Sequence, residues 1–140
     1  MKNKVFNIIL LIIWLIIIFF FSSDTGDISS NKSSKLSNVV SIFCKTDECK
    51  NKSEFVIRKC AHFTEYLILA LLIINVMKDY KTINYKLLLL TLILCLLYAS
   101  SDEWHQTFVD GRVGSYKDVL LDTCGSLIGI IIYKLIKKNK

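Results

Sequence analysis

The chain reads as four apolar stretches separated by polar ones. The first runs from Val5 to Phe21 and is broken only by Asn7. At about 1.5 Å per residue it nearly spans a hydrocarbon core of about 30 Å. Lys2 and Lys4 before it resemble the basic start of a signal peptide. The run is longer than such peptides use, however, and no A-x-A-like cleavage site follows, so the pattern predicts a retained transmembrane helix. The second stretch runs from about Glu54 to Met77, with Ser53 placed as its N-cap. It is almost wholly apolar from Leu67 to Val76 and carries Arg58, Lys59, His62 and Glu65 in its earlier half.

The third stretch runs from Tyr85 to Gln106, but only Leu87 to Ala99 is apolar, too short to span alone. The polar run from Ser100 to Gln106 must continue the helix to the membrane surface or into a protein-lined pocket. The fourth stretch is Val119 to Ile136, with Asp122 inside it and a Gly125/Gly129 step that lets another helix approach closely. These patterns predict an all-α integral membrane bundle of four transmembrane helices, at about residues 5–21, 58–77, 86–104 and 119–136, in a single domain over 1–140. Between the first two, Leu36, Val39, Val40 and Phe43 have helical spacing and suggest a short amphipathic surface helix; an irregular loop fits as well.

Composition supports the membrane class. Of 140 residues, 53% are hydrophobic and 21% charged, more apolar surface than a soluble domain of this size can bury. The net charge of +6 would suit nucleic acid, but the lysines sit at segment ends. Lys2 and Lys4, then Lys78, Lys81 and Lys86, then Lys134, Lys137, Lys138 and Lys140 fall on one side of a four-span chain. That side is expected to be the cytoplasm, with both termini in it. Nine basic residues on the other side are spread out and interleaved with acids. The positive charge then serves anionic lipid, and no nucleic-acid partner is expected. Of five cysteines, Cys44 and Cys49 could pair in an oxidising compartment; Cys60, Cys95 and Cys124 read as buried apolar residues.

Polar groups gather at the opposite, outer end. Arg58, His62 and Glu65 share one helical face at i, i+4 and i+7. Tyr98, Asp102, His105 and Gln106 share another, and Asp118 and Asp122 a third. A charge left facing lipid costs on the order of several kcal/mol, so the three faces should turn toward one pocket. Arg112 sits in the turn Asp110-Gly111-Arg112-Val113-Gly114-Ser115, which two glycines allow to fold back over it. Mutual neutralisation of Arg58 or Arg112 with Glu65, Asp102 or Asp122 would also account for these charges. So would hydration of Arg112, Lys117 and Asp118 at headgroup level.

Three stretches carry a family resemblance. Arg58-Lys59-Cys60-Ala61-His62-Phe63-Thr64-Glu65-Tyr66 resembles the R-K-x-A-H-F-x-E-Y motif of the VanZ-like family. Tyr98-Ala99-Ser100-Ser101-Asp102-Glu103-Trp104-His105-Gln106 resembles its Y-A-x-x-D-E-x-H-Q motif. Arg112, Asp118, Asp122, Thr123 and Gly125 match its third. Phe21-Ser22-Ser23-Asp24 is similar to the family's F-S-S-Q, with Asp24 in place of glutamine. The resemblance implies a membrane protein of the bacterial envelope, in a family whose founding member is linked to teicoplanin resistance. It carries over no reaction.

Three functions fit these residues. In the first, an outer-leaflet pocket binds an anionic lipid headgroup, a cell-wall precursor or a lipoglycopeptide. Arg58, Lys59 and Arg112 would contact the anion, and the pocket would draw on His62, Glu65, Tyr66, Asp102, Glu103, His105, Gln106, Asp118 and Asp122. In the second, a membrane enzyme acts on a lipid-linked phosphate or sugar, with His62, Glu65, Asp102 and His105 as catalytic candidates. In the third, the charges only lock the bundle or meet a protein partner. Two histidines without a matched cysteine pair make a weak metal signature, and neither a metal nor a cofactor is expected.

Overall fold

The computed structural model describes residues 2–23 and 47–138, and among these it is wholly helical. Four helices follow in order: α1 Lys2–Ser22, α2 Asp47–Met77, α3 Tyr85–Gln106 and α4 Tyr116–Lys138. All four are long and apolar enough to cross a membrane. The proposed surface helix through Leu36 and Phe43, the Asp24 position and the Cys44/Cys49 pair lie outside what is described, Cys49 through its side chain.

The helices extend beyond the apolar cores that predicted them. Ser53 is not a cap, because α2 already starts at Asp47. No glycine or proline interrupts Asp47 to Ser53, so nothing stops the helix there. α3 does continue through its polar run to Gln106. It starts where the Asn84 side chain accepts from the Leu87 N–H at 3.0 Å. α4 starts at Tyr116, three residues before its apolar run, with the Ser115 carbonyl accepting from Asp118 N–H at 2.9 Å.

α2 packs against all three other helices, and most extensively against α4. The glycine step sets that seam. A side chain on Gly125 would collide with the Phe63 carbonyl, and one on Gly129 would come within 2.6 Å of the Leu67 carbonyl. The two contacts advance together by four residues, so α2 and α4 run in the same direction. Ser126 between them donates to the Tyr66 carbonyl at 3.3 Å. The core includes Ile18, Tyr66, Leu69, Ile74, Cys95, Ala99 and Ile130. Cys60 and Cys124, expected inside, are exposed, because they lie on helix faces turned away from the neighbouring helices.

One end of the bundle carries lysines. There Asn7, the lone break in the first apolar run, donates to Asp79 Oδ2 at 2.6 Å and accepts from Asn75 Nδ2 at 2.8 Å. Lys4 lies over the Tyr80 ring. The other end holds the polar motifs.

Candidate functional site

The polar end is assembled from the middle of α2, the end of α3, the α3–α4 turn and the start of α4. Helical spacing puts Arg58, Lys59 and His62 along one wall of a cleft of about 620 Å³. Lys117, Asp118 and Leu121 form the facing wall on α4. Gln106 closes the α3 side, and Gly111, Arg112, Val113 and Ser115 cover it from the turn. Gly111 takes the turn's positive φ of 74°. Gly114 lets the turn lie flat on α3, where an added Cβ would come within 2.6 Å of the Glu103 carbonyl. Glu103 fastens the turn by accepting from the Ser115 N–H at 2.8 Å.

Cations dominate the lining. Lys59 forms an ion pair with Asp118. Arg58, Arg112 and Lys117 add three more positive groups, and Asp118 is the lone acid among the lining residues. Phe55, Val113 and Leu121 make the rim partly apolar.

Below the cleft lies a layer of acids. Glu65 is two turns beyond Arg58 on α2, and its Oε2 is 3.6 Å from His62 Nδ1, too long for a hydrogen bond. Asp102, Glu103 and Asp122 are buried, and the Asp122 side chain is wholly enclosed. Asp122 lies within electrostatic reach of Glu65, Asp102, Glu103 and Asp118. Arg112 reaches the cleft and this layer together: its charge acts on His62, Glu65 and Asp102. It also donates to the Phe21 carbonyl at 3.4 Å. Tyr66 is enclosed beside the acids, its ring 6.2 Å from that of Tyr98.

The VanZ/LLP1 family model matches residues 6–137. The chain belongs to the VanZ/LLP1 family. No curated protein and no solved structure gives a significant match. This VanZ/LLP1 protein is a multi-pass membrane protein of a family linked to glycopeptide resistance.

Not every motif residue of this VanZ/LLP1 chain reaches the large cleft. His105 turns toward α1, where its Nε2 is 3.1 Å from Ser23 Oγ and its ring stacks on Phe19 at 4.8 Å. It lines a separate cleft of about 250 Å³ with Ser101, Asp102, Trp104 and Phe108. His62 and His105 therefore face different spaces, and the four catalytic candidates are divided. Among the described residues, no three His, Cys, Asp or Glu side chains gather to hold a metal ion.

Three contributors were not singled out from the sequence. Lys117, which by position reads as a headgroup-level charge, lines the cleft. Ser22 and Ser23 belong to the F-S-S stretch, and both meet the α3 motif: Ser22 accepts from Gln106, and Ser23 pairs with His105. Their signal was that two hydroxyls close an otherwise apolar helix.

Proposed function

We propose that this protein binds the anionic group of an envelope lipid or lipid-linked precursor in the large cleft. The observation that carries the reading is the charge of the lining: Arg58, Lys59, Arg112 and Lys117 against the lone acid Asp118. Arginine forks and lysine ammoniums suit phosphate or carboxylate oxygens, and the Gln106 and Ser115 positions add uncharged polar groups. The apolar rim of Phe55, Val113 and Leu121 suits an anion attached to a hydrocarbon chain. Lipidated glycopeptides such as teicoplanin combine both features, which joins this reading to the family's link with resistance.

The site faces the outer leaflet in this reading, with both termini cytoplasmic. The support is that Lys78, Lys81, Lys86, Lys134, Lys137 and Lys138 all lie at the opposite end. Reporter fusions after Ser33 and at Lys140 test the orientation; an active periplasmic-type reporter at Lys140 overturns it.

The binding test is lipid retention. Protein purified from native membrane should carry an anionic lipid or lipid-linked precursor, seen by native mass spectrometry. An Arg58→Ala/Lys117→Ala variant should lose it while keeping its helicity. Equal retention by both proteins would sink the reading.

An enzymatic reading has one observation in its favour. His62 sits on the cleft wall with Glu65 behind it, an arrangement that suits acid–base chemistry on a bound phosphate ester. Turnover of a lipid-linked phosphate, lost in His62→Gln with binding retained, would establish it.

A further inference from the structure

A second cleft, of about 350 Å³, opens at the lysine-bearing end between the start of α3 and the end of α4. Lys134, Lys137 and Lys138 line its α4 side, one ammonium followed a turn later by two more. Tyr133 and Tyr85 bring phenols, while Ile83 and Leu88 form an apolar floor. No acid lines it. The acid at this end of the described residues, Asp79, is engaged by Asn7 of α1. The first turn of α3 adds the positive end of a helix dipole, and Asn84 at its cap also lines the cleft. The volume is in the range of ordinary ligand pockets.

We infer that this cleft is a discrete site for the phosphodiester headgroup of an anionic phospholipid, in the leaflet opposite the Arg58/Lys117 cleft. Charge complementarity selects the occupant: three lysines with no lining acid demand an anion. The apolar floor directs that anion's attached chains along α3 and α4 into hydrocarbon. Diffuse attraction between basic loops and a charged membrane would need no groove between two helices and no apolar floor. A site needs both, and that difference makes the inference testable. It does not rest on the function proposed for the other end.

The experiment uses the full chain, delipidated in neutral detergent and titrated with phosphatidylglycerol under native mass spectrometry. The Arg58→Ala/Lys117→Ala background removes the contribution of the first cleft. One phosphatidylglycerol should still bind in that background. Lys134→Ala/Lys137→Ala/Lys138→Ala should weaken it about tenfold or more. Leu88→Trp, which fills the floor and leaves every charge in place, should weaken it comparably; circular dichroism checks the helices. If Leu88→Trp disturbs them, Ile83→Trp fills the cleft from its loop edge instead. Undiminished binding to the charge-preserving, well-folded variant would overturn the site in favour of diffuse attraction. Equal binding of phosphatidylcholine would overturn the requirement for an anionic lipid. Equal competition by glycerol 3-phosphate would assign the cleft to soluble phosphates rather than lipid. If the Arg58→Ala/Lys117→Ala background binds as much as wild type, the first site fails and the second is untouched.

Discussion

Gln106 on α3 donates from Nε2 to the Ser22 hydroxyl of α1 at 2.9 Å, with both side chains buried. The same nitrogen lies 3.4 Å from Asp102 Oδ2. Gln106→Leu should therefore take one donor each from Ser22 and Asp102 and cost about 1–3 kcal/mol. Ser22→Ala should cost about 1 kcal/mol, because Asp102 loses the hydroxyl and keeps the amide. Thermal unfolding of both single variants and the double variant in detergent checks this. Additive losses would show that the bond does not couple α1 to α3.

Asn7→Leu should make the first apolar run more hydrophobic and the protein less stable. Asn7 joins Asp79 and Asn75 at 2.6 and 2.8 Å. Its loss leaves a carboxylate and an amide partly buried without their partner, at a cost of about 1–3 kcal/mol. Unfolding in detergent reads the sign directly.

Gly125→Ala should destabilise by about 1–3 kcal/mol through overpacking, because the added methyl meets the Phe63 backbone carbonyl, which cannot swing away. Gly129→Ala should be milder, since its nearest atom is farther off. Cysteine crosslinking between α2 and α4 would report the same displacement as a lost or shifted pairing.

Asp118→Asn should raise affinity for an anionic lipid. The substitution releases Lys59 from its ion pair and removes the lone acid of the cleft lining. The gain should be a few-fold, about the worth of a partly exposed pair, and should fade as salt rises. A lower affinity would mean that Asp118 holds Lys59 in its binding position.

The four spans were legible because apolar runs of sufficient length have one meaning in a chain this hydrophobic. Their ends were legible in part. The polar run through Asp102 and Glu103 has to continue α3, since the apolar stretch is too short alone and neighbouring helices enclose these acids, whereas no apolar residue marks the start of α2 at Asp47. The Arg58/His62 face was legible because both residues lie on one helix, where spacing alone determines direction. The parting of His62 from His105 was not, since it depends on α1 lying beside α3 and offering Phe19 and Ser23. The Lys59–Asp118 pair was likewise hidden: charge counts match arginines with the inner acids, while the packing of α2 against α4 brings a lysine and the outer aspartate together. Cys60 and Cys124 followed the same logic in reverse, as apolar character in a membrane protein does not distinguish inside from lipid-facing.

α1 is held at stations along its length by Asn7, the Trp14 indole on the Glu65 carbonyl at 3.0 Å, the Leu15 carbonyl under the Tyr98 hydroxyl at 2.8 Å, and Ser22. Ile9, Ile12, Ile13 and Ile16 between these stations face outward. Such a helix can enter the bilayer alone, on hydrophobicity, and take its place afterwards by matching hydrogen bonds. Its docking is thus separable from its insertion. A chain severed between α1 and α2 should reassemble when the two pieces are co-expressed, and variants at the stations should block that reunion without hindering entry of either piece into the membrane.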